Sequence, residues 1–204
     1  MKHNEKKKSE QYFDEVSKQN KKIMEPIRCY PIVLEEIKSS SGTLLDVGCG
    51  EGVLLGFIEE RCSSNLRLYG IDLSGNAVEK AKKTLPEGID LRQGDAEHLP
   101  YDDNMFDVIL CTHSFHHYPN PNNALREFNR CLKKNGRVFI VENYRPEIIR
   151  IIHNGFLALM NHPKGDIKFY SQRELERLIA KTGFDNTKSR RITEKSFILT
   201  SKKH

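Results

Sequence analysis

From Thr43 onward the chain alternates short β-branched or aliphatic runs with helical stretches, and this alternation limits the fold more than any other feature. It is the pattern of βαβ units laid into a mainly parallel sheet. The strands it predicts are Thr43 to Val47, Leu66 to Asp72, Ile89 to Gln93, Phe106 to Thr112 and Arg137 to Glu142. A late pair, Thr187 to Ile192 and Lys195 to Thr200, reads as an antiparallel hairpin that closes the sheet. Helices are expected around Gly52 to Arg61, Gly75 to Thr84, Pro121 to Leu132 and Ser171 to Thr182. The expected fold is therefore α/β, a doubly wound and mainly parallel seven-stranded sheet with a C-terminal antiparallel hairpin.

A helical cap precedes the sheet. Residues 9 to 40 carry Tyr12, Phe13 and Val16, then Ile32, Val33 and Ile37, at helix-like spacing, with Pro26 and Pro31 breaking the region into pieces. The amphipathic segment Pro146 to Lys164 reads equally as a lid over a pocket and as an ordinary packing helix. With 204 residues the chain suffices for one compact domain: a cap over 1–40, a core over 41–145, a candidate lid over 146–166, and a C-terminal helix and hairpin over 167–204.

Composition removes several classes. The longest apolar stretch, Ile148 to Met160, is interrupted by Arg150, His153 and Asn154, so no membrane span is expected. Glu10, Gln11 and Asp14 follow the Lys-rich start where a secretory signal would need an apolar run, so the expected compartment is the cytoplasm. Cys29, Cys49, Cys62, Cys111 and Cys131 form an odd set without a C-x-x-C pair, which fits reduced, mostly buried thiols rather than disulfides or structural zinc. The net charge of +5 arises at the ends, from Lys2, Lys6, Lys7 and Lys8 against Glu5 and from Lys202 and Lys203. These read as solvated, frayed termini on a balanced body, which disfavours nucleic acid as a partner. Lys188, Arg190, Arg191 and Lys195 make one local basic stretch. The chain is expected to be a monomer or homodimer.

The chemistry concentrates at strand ends. Leu44 to Gly52 (LLDVGCGEG) joins the first strand to a helix, where glycines allow a tight turn and close approach of a ligand to the backbone. Asp72 closes the second strand about 20 residues further on, the separation at which an acid reaches a ribose in such folds. Asp95 lies just past the third strand, in Gly94-Asp95-Ala96-Glu97. Asp46, Asp72 and Asp95 are expected to converge on one crevice outside the sheet's carboxyl edge. The sign of that charge selects the cofactor. An acid at Asp46 would repel a dinucleotide pyrophosphate, and Val53 stands where the third glycine of G-x-G-x-x-G belongs. The sulfonium and ammonium of S-adenosylmethionine would instead be attracted.

These motifs, with Gly70 to Ser74 (GIDLS), Gly94 to Pro100 (GDAEHLP), Phe106 to Tyr118 (FDVILCTHSFHHY), Ala124 to Gly136 (ALREFNRCLKKNG) and Phe169 to Phe184 (FYSQRELERLIAKTGF), resemble the class I S-adenosylmethionine-dependent methyltransferases with their Rossmann-like fold. The similar branch is the small single-domain one that includes ubiquinone and menaquinone C-methyltransferases. The resemblance implies that Asp46 and the Gly48, Cys49 and Gly50 backbone hold the methionine moiety. It implies Asp72 on the ribose hydroxyls, Leu73 against the adenine, and Asp95, Ala96 and Glu97 around the adenine edge. Thr112 and His113 would face the sulfonium side, and Tyr12 would be the N-terminal aromatic that closes over the cofactor. Lys134-Asn135-Gly136 replaces the family's Pro-Gly-Gly, with Asn135 expected to share the positive-φ work of glycine. The segment after the fifth strand matches no substrate signature, so a small-molecule acceptor is expected and its identity stays open.

Methyl transfer is an in-line displacement that needs alignment and exclusion of water more than a catalytic side chain. His116 and His117 are the candidate general bases, with His113 beside them, and a positional role is the alternative for each. No metal is expected, because H-x-x-H-H has no carboxylate close in sequence. Tyr118, Tyr144, His153 and Tyr170 are candidates for the acceptor pocket wall. Two other readings share these motifs: a silent S-adenosylmethionine-binding protein and an NAD-dependent oxidoreductase.

Overall fold

A computed structural model of the chain describes residues 2–19, 28–62, 65–160 and 165–204. Seven strands form one sheet: β1 (Gly42–Val47), β2 (Leu66–Asp72), β3 (Asp90–Gln93), β4 (Phe106–Thr112), β5 (Leu132–Asn143), β6 (Phe184–Arg191) and β7 (Ser196–Lys203). Their order is β3-β2-β1-β4-β5-β7-β6, with β7 antiparallel to both neighbours and the other pairs parallel. The chain starts at β1 and winds outward in both directions, so the carboxyl ends of β1 and β4 flank the point where the order reverses. A crevice forms there in open α/β sheets.

Each strand alternates two apolar faces. Leu45, Val47, Tyr69, Ile71, Val138, Ile140, Phe197 and Leu199 belong to one core cluster, while Leu44, Leu68, Leu110, Phe139, Val141 and Ile198 belong to the other. Helices α5 (Pro121–Cys131) and α7 (Gln172–Ile179) cover the first face with Leu125, Phe128, Leu175 and Ile179. The second is covered by α2 (Tyr30–Ile37), α3 (Val53–Cys62) and α4 (Gly75–Thr84), through Val33, Ile37, Leu55, Ile58, Val78 and Ala81. Pro31 sits in the first turn of α2, where a missing N–H costs nothing; Pro26 lies outside the described residues.

Three departures from the sequence reading have physical causes. β5 begins at Leu132 because Asn135 takes φ 67° and the β4 pairing shifts register there without ending, so the expected turn becomes an irregularity inside the strand. β7 runs to Lys203 because Lys202 pairs with Arg137 and the Lys203 ammonium donates to the Leu132 carbonyl at 2.8 Å; this end is a sheet strand and not a frayed tail. The basic start is ordered too: α1 runs Lys2–Lys18, and Lys6 sits 2.6 Å from Asp95 and 2.7 Å from Glu97.

The segment read as lid or packing helix forms α6 (Glu147–Met160). Asn154 fastens it to Phe169 through both amide atoms, and Arg150 pairs with Glu174 at 2.7 Å, yet Ile148 is 72% and Leu159 85% exposed. Residues 161–164 of that segment lie outside the described residues.

Candidate functional site

The turn after β1 needs its glycines for two different reasons. Gly48 has φ 77°, and a Cβ there would come within 2.4 Å of the Ser114 side chain, so the backbone packs directly on the β4 loop. Gly50 has φ 54° with nothing within 4 Å of an added Cβ, so only conformation demands glycine and the space before it is open. That space is the mouth of a cavity of about 550 Å³. Gly48, Cys49 and Gly50 form one wall, Asp72 and Leu73 a second, and Asp95, Ala96 and Glu97 a third, with Thr112, His113 and Ser114 at the end of β4.

The acids differ in their surroundings. Asp72 accepts the Gly50 amide at 2.7 Å and the Ser74 amide at 2.9 Å, tying the glycine turn to the loop after β2. Burial raises its pKa, against the pull of those amides. Burial also works to raise Asp95, but the Lys6 ammonium and the Glu97 amide outweigh it and the carboxyl sits below its usual range. Asp46 lies inside the sheet, between Gly70 and Leu110, and is 2% exposed. Burial and the neighbouring Asp72 push it to about 7. Thus Asp72 and Asp95 line the cavity as expected, whereas Asp46, one residue before the end of β1, is buried beside it and does not line it. Its Oδ1 has no hydrogen-bond partner among the described residues, and neither does the Thr112 hydroxyl. Buried polar atoms left in this state beside an open cavity fit a ligand that brings donors and positive charge.

The roof is α1. Lys6, Ser9, Phe13, Val16 and Ser17 face the cavity, a helical stripe spaced three or four residues apart that the sequence reading did not isolate. Phe13 takes the place expected for Tyr12: it lines the cavity and meets the His117 ring edge-on at 4.8 Å, while Tyr12 packs behind it at 5.2 Å. Asp14 accepts from the Ser74 hydroxyl and the Asn76 amide at the start of α4. Ser17 donates to Glu51 at 3.0 Å, and Ser9 donates to the Gly165 carbonyl at 3.2 Å. Tyr30 and Phe57 complete the apolar side.

The three histidines separate. His113 adopts φ 53°, rare for a residue with a side chain, and stands at the cavity edge with Nε2 3.4 Å from the Ser196 hydroxyl. His116 points away from the cavity: its Nδ1 lies 3.0 and 2.8 Å from the two Glu142 oxygens, beneath the wall. Burial works to lower the His116 pKa, but the Glu142 carboxylate raises it overall. His116 is therefore not placed to take a proton from anything in the cavity. His117 lines the cavity, its Nδ1 3.0 Å from the Gly165 carbonyl, and burial together with His116 pushes its pKa down to about 3. Glu142 was missed, although an acid in the aliphatic run Val138 to Val141 is itself a signal that a cationic or donor partner is buried nearby. Asp166 was missed as well: it approaches both His116 and His117, supplying from a distant segment the carboxylate absent from the local motif. Of the proposed acceptor-wall residues, Tyr118 lines the cavity; Tyr144 and Tyr170 pack in the core and His153 packs on Phe169.

An open α/β sheet of this order, with a glycine turn after β1 and an acid at the end of β2, defines a nucleoside-cofactor-binding protein. A methyltransferase domain family matches residues 45–140. The uncharacterized methyltransferase YcgJ of Bacillus subtilis is 35% identical over 111 residues, which cover 51% of this chain and 42% of that protein. A demethylmenaquinone methyltransferase of Lactobacillus johnsonii is 28% identical over 175 residues, covering 74% of this chain and 72% of that one. A Thermotoga maritima structure, described as a S-adenosylmethionine-dependent methyltransferase and possible histamine N-methyltransferase, has the same fold with a TM-score of 0.72 at 21% identity, over 95% of this chain and 99% of the other. Residues 45–140 thus match a methyltransferase domain, and nearly the whole chain shares its fold with the Thermotoga structure.

Proposed function

We propose that this chain transfers a methyl group from S-adenosylmethionine to a small, largely apolar acceptor held under α1. The observation that carries the reading is the pair of orphaned buried oxygens, Asp46 Oδ1 and Thr112 Oγ1, beside a cavity whose floor is the glycine turn. Asp72 would receive the ribose hydroxyls, since each carboxylate oxygen keeps a lone pair beyond the amide it already accepts. Leu73 would pack on the adenine, with Asp95, Glu97 and the Ala96 amide at its polar edge. The Gly48 and Cys49 amides already donate to the Ile71 carbonyl and the Gly50 amide to Asp72, so this turn would hold the methionine moiety through its backbone carbonyl oxygens, and Asp46 would balance the cationic end. When bound, the cofactor supplies a methyl carbon already activated by positive sulfur. The protein's share is alignment of the acceptor and exclusion of water, which the α1 roof and the Thr112 and His113 edge serve.

Phe13, Val16, Tyr30 and Phe57 give the cavity an apolar side suited to a ring or chain. The menaquinone names of several relatives support an aromatic, quinol-like acceptor. His117 and His113, not His116, are the imidazoles on the wall that such an acceptor would touch. None of the described helices is long and apolar enough to cross a membrane.

Calorimetric titration with S-adenosylmethionine, S-adenosylhomocysteine and NAD tests the cofactor half of the proposal. Binding of the first two, abolished in Asp72→Ala, is expected; binding of NAD alone would overturn it. Transfer of a labelled methyl group into a set of quinols and phenols tests the acceptor half.

A further inference from the structure

Outside the proposed cofactor contacts, the loop after β4 and the segment after α6 bring two imidazoles and a carboxylate together. The short 3₁₀ turn Phe115–His117 sets the His116 and His117 rings side by side, centroids 4.0 Å apart. The Ile167 and Lys168 amides both donate to the His116 carbonyl, at 2.9 and 3.2 Å, so the backbone itself holds Asp166 against this turn. Asp166 Oδ1 lies 3.6 Å from His116 Nε2 and 3.4 Å from His117 Nδ1, and the three donor atoms fall within 4.8 Å of one another.

Those separations are long for strong direct hydrogen bonds. The two separations from Asp166 are close to the edge of a tetrahedron of donors around one small cation, about 3.4 Å when each donor sits about 2.1 Å from the metal, and the two imidazoles would close on the ion to complete it. Glu142 supplies what lies behind the ligands: by accepting from His116 Nδ1 it fixes the tautomer that leaves the Nε2 lone pair toward Asp166, the carboxylate–histidine–metal arrangement. The Gly165 carbonyl, 3.0 Å from His117 Nδ1, adds an oxygen at the same place. The side chains of His116, His117 and Asp166 are 7%, 13% and 22% exposed, enclosed yet reachable.

We infer that His116 Nε2, His117 Nδ1 and Asp166 form a binding site for one divalent first-row transition metal ion. Two imidazoles with one carboxylate suit zinc, cobalt, manganese or iron and not calcium or magnesium. In the metal-free protein a proton and the Gly165 hydrogen bond occupy the two imidazole positions. His117 also lines the cavity, so the ion would sit in its wall, where an acceptor oxygen or nitrogen could complete the coordination. The site stands independently of the cofactor assignment.

The test uses the full untagged chain, stripped with a chelator and titrated with cobalt(II). One equivalent is expected to bind with a visible absorption band, and zinc(II) to displace it stoichiometrically. Asp166→Asn and His117→Gln should each weaken binding by at least about tenfold, and Glu142→Gln by about 10- to 100-fold. Thermal unfolding and binding of S-adenosylhomocysteine to Asp166→Asn confirm that this variant is folded. Absence of stoichiometric binding to the wild type would overturn the site, and so would unchanged affinity in folded Asp166→Asn.

Discussion

The floor and the roof of the cavity are built on opposite principles. The floor is backbone: glycine amides and strand ends, fixed by the sheet and by Asp72 bonding to Gly50 and Ser74. The roof is a charged helix held by side chains, with Lys6 on Asp95 and Glu97, Ser9 on Gly165, Asp14 on Ser74 and Ser17 on Glu51. Backbone hydrogen bonds inside a packed sheet open only with the whole domain, whereas side-chain contacts such as the partly exposed Lys6–Asp95 pair cost less to break. A site built this way keeps its cofactor geometry constant while its cover can lift, which a catalyst that must admit two molecules and release two requires.

The largest effect should come from the floor. Gly48→Ala imposes a side chain at φ 77° and within 2.4 Å of Ser114. It should cost roughly 2–4 kcal/mol in denaturant unfolding. Asp72→Ala removes the acceptor of two backbone amides and the proposed ribose contact, and should lower affinity for S-adenosylhomocysteine by about 100-fold or more, read by calorimetry. The roof should respond less. Lys6→Met should destabilise the fold by about 1–2 kcal/mol, since buried Glu97 keeps its two Asn120 donors when the ammonium is lost, while speeding proteolysis within α1. If Lys6→Met instead matched Gly48→Ala in stability loss, the contrast between floor and roof would fail. The smallest effect belongs to a third surface: Ile148→Ser on exposed α6 should change stability by less than about 0.5 kcal/mol.

The same contrast explains what could be read from the sequence. β2, β4 and α4 are where the pattern put them, because buried strands and a Ser74-capped helix are dictated locally. Asp72, Asp95 and the glycine turn were visible for the same reason: their positions at strand ends follow from the strands. The roof was legible only in part: Tyr12, Phe13 and Val16 marked a helical cap, but Lys6, Ser9 and Ser17 are polar, and nothing local says that a polar helix face looks inward. Tyr12 and Phe13 are neighbours about 100° apart on the helix, so choosing between them needs the docking angle of α1. Glu142 and Asp166 gain meaning only when β5 and the segment after α6 meet the loop after β4.

Asp46 joins the two halves of the account, since its cost to the fold is the reason for its attraction to a cation. Its carboxyl, raised by burial to about 7, is neutral in the folded protein across mildly acid pH although the unfolded chain would ionise it. The folded state therefore holds the extra proton, and the penalty grows as pH rises from about 4 to about 7 and is complete above that. Asp46→Asn should thus be more stable than the wild type by roughly 2–4 kcal/mol at pH 8, with no advantage near pH 4.

The most direct measurement is the affinity for S-adenosylmethionine between pH 5.5 and pH 7.5, in the wild type and in Asp46→Asn. A cation beside Asp46 favours the ionised carboxylate, so wild-type affinity should climb as pH rises toward 7, with release of a proton on binding, while Asp46→Asn should bind more weakly and show no such climb. A flat wild-type profile, or an identical climb in the variant, would contradict the account.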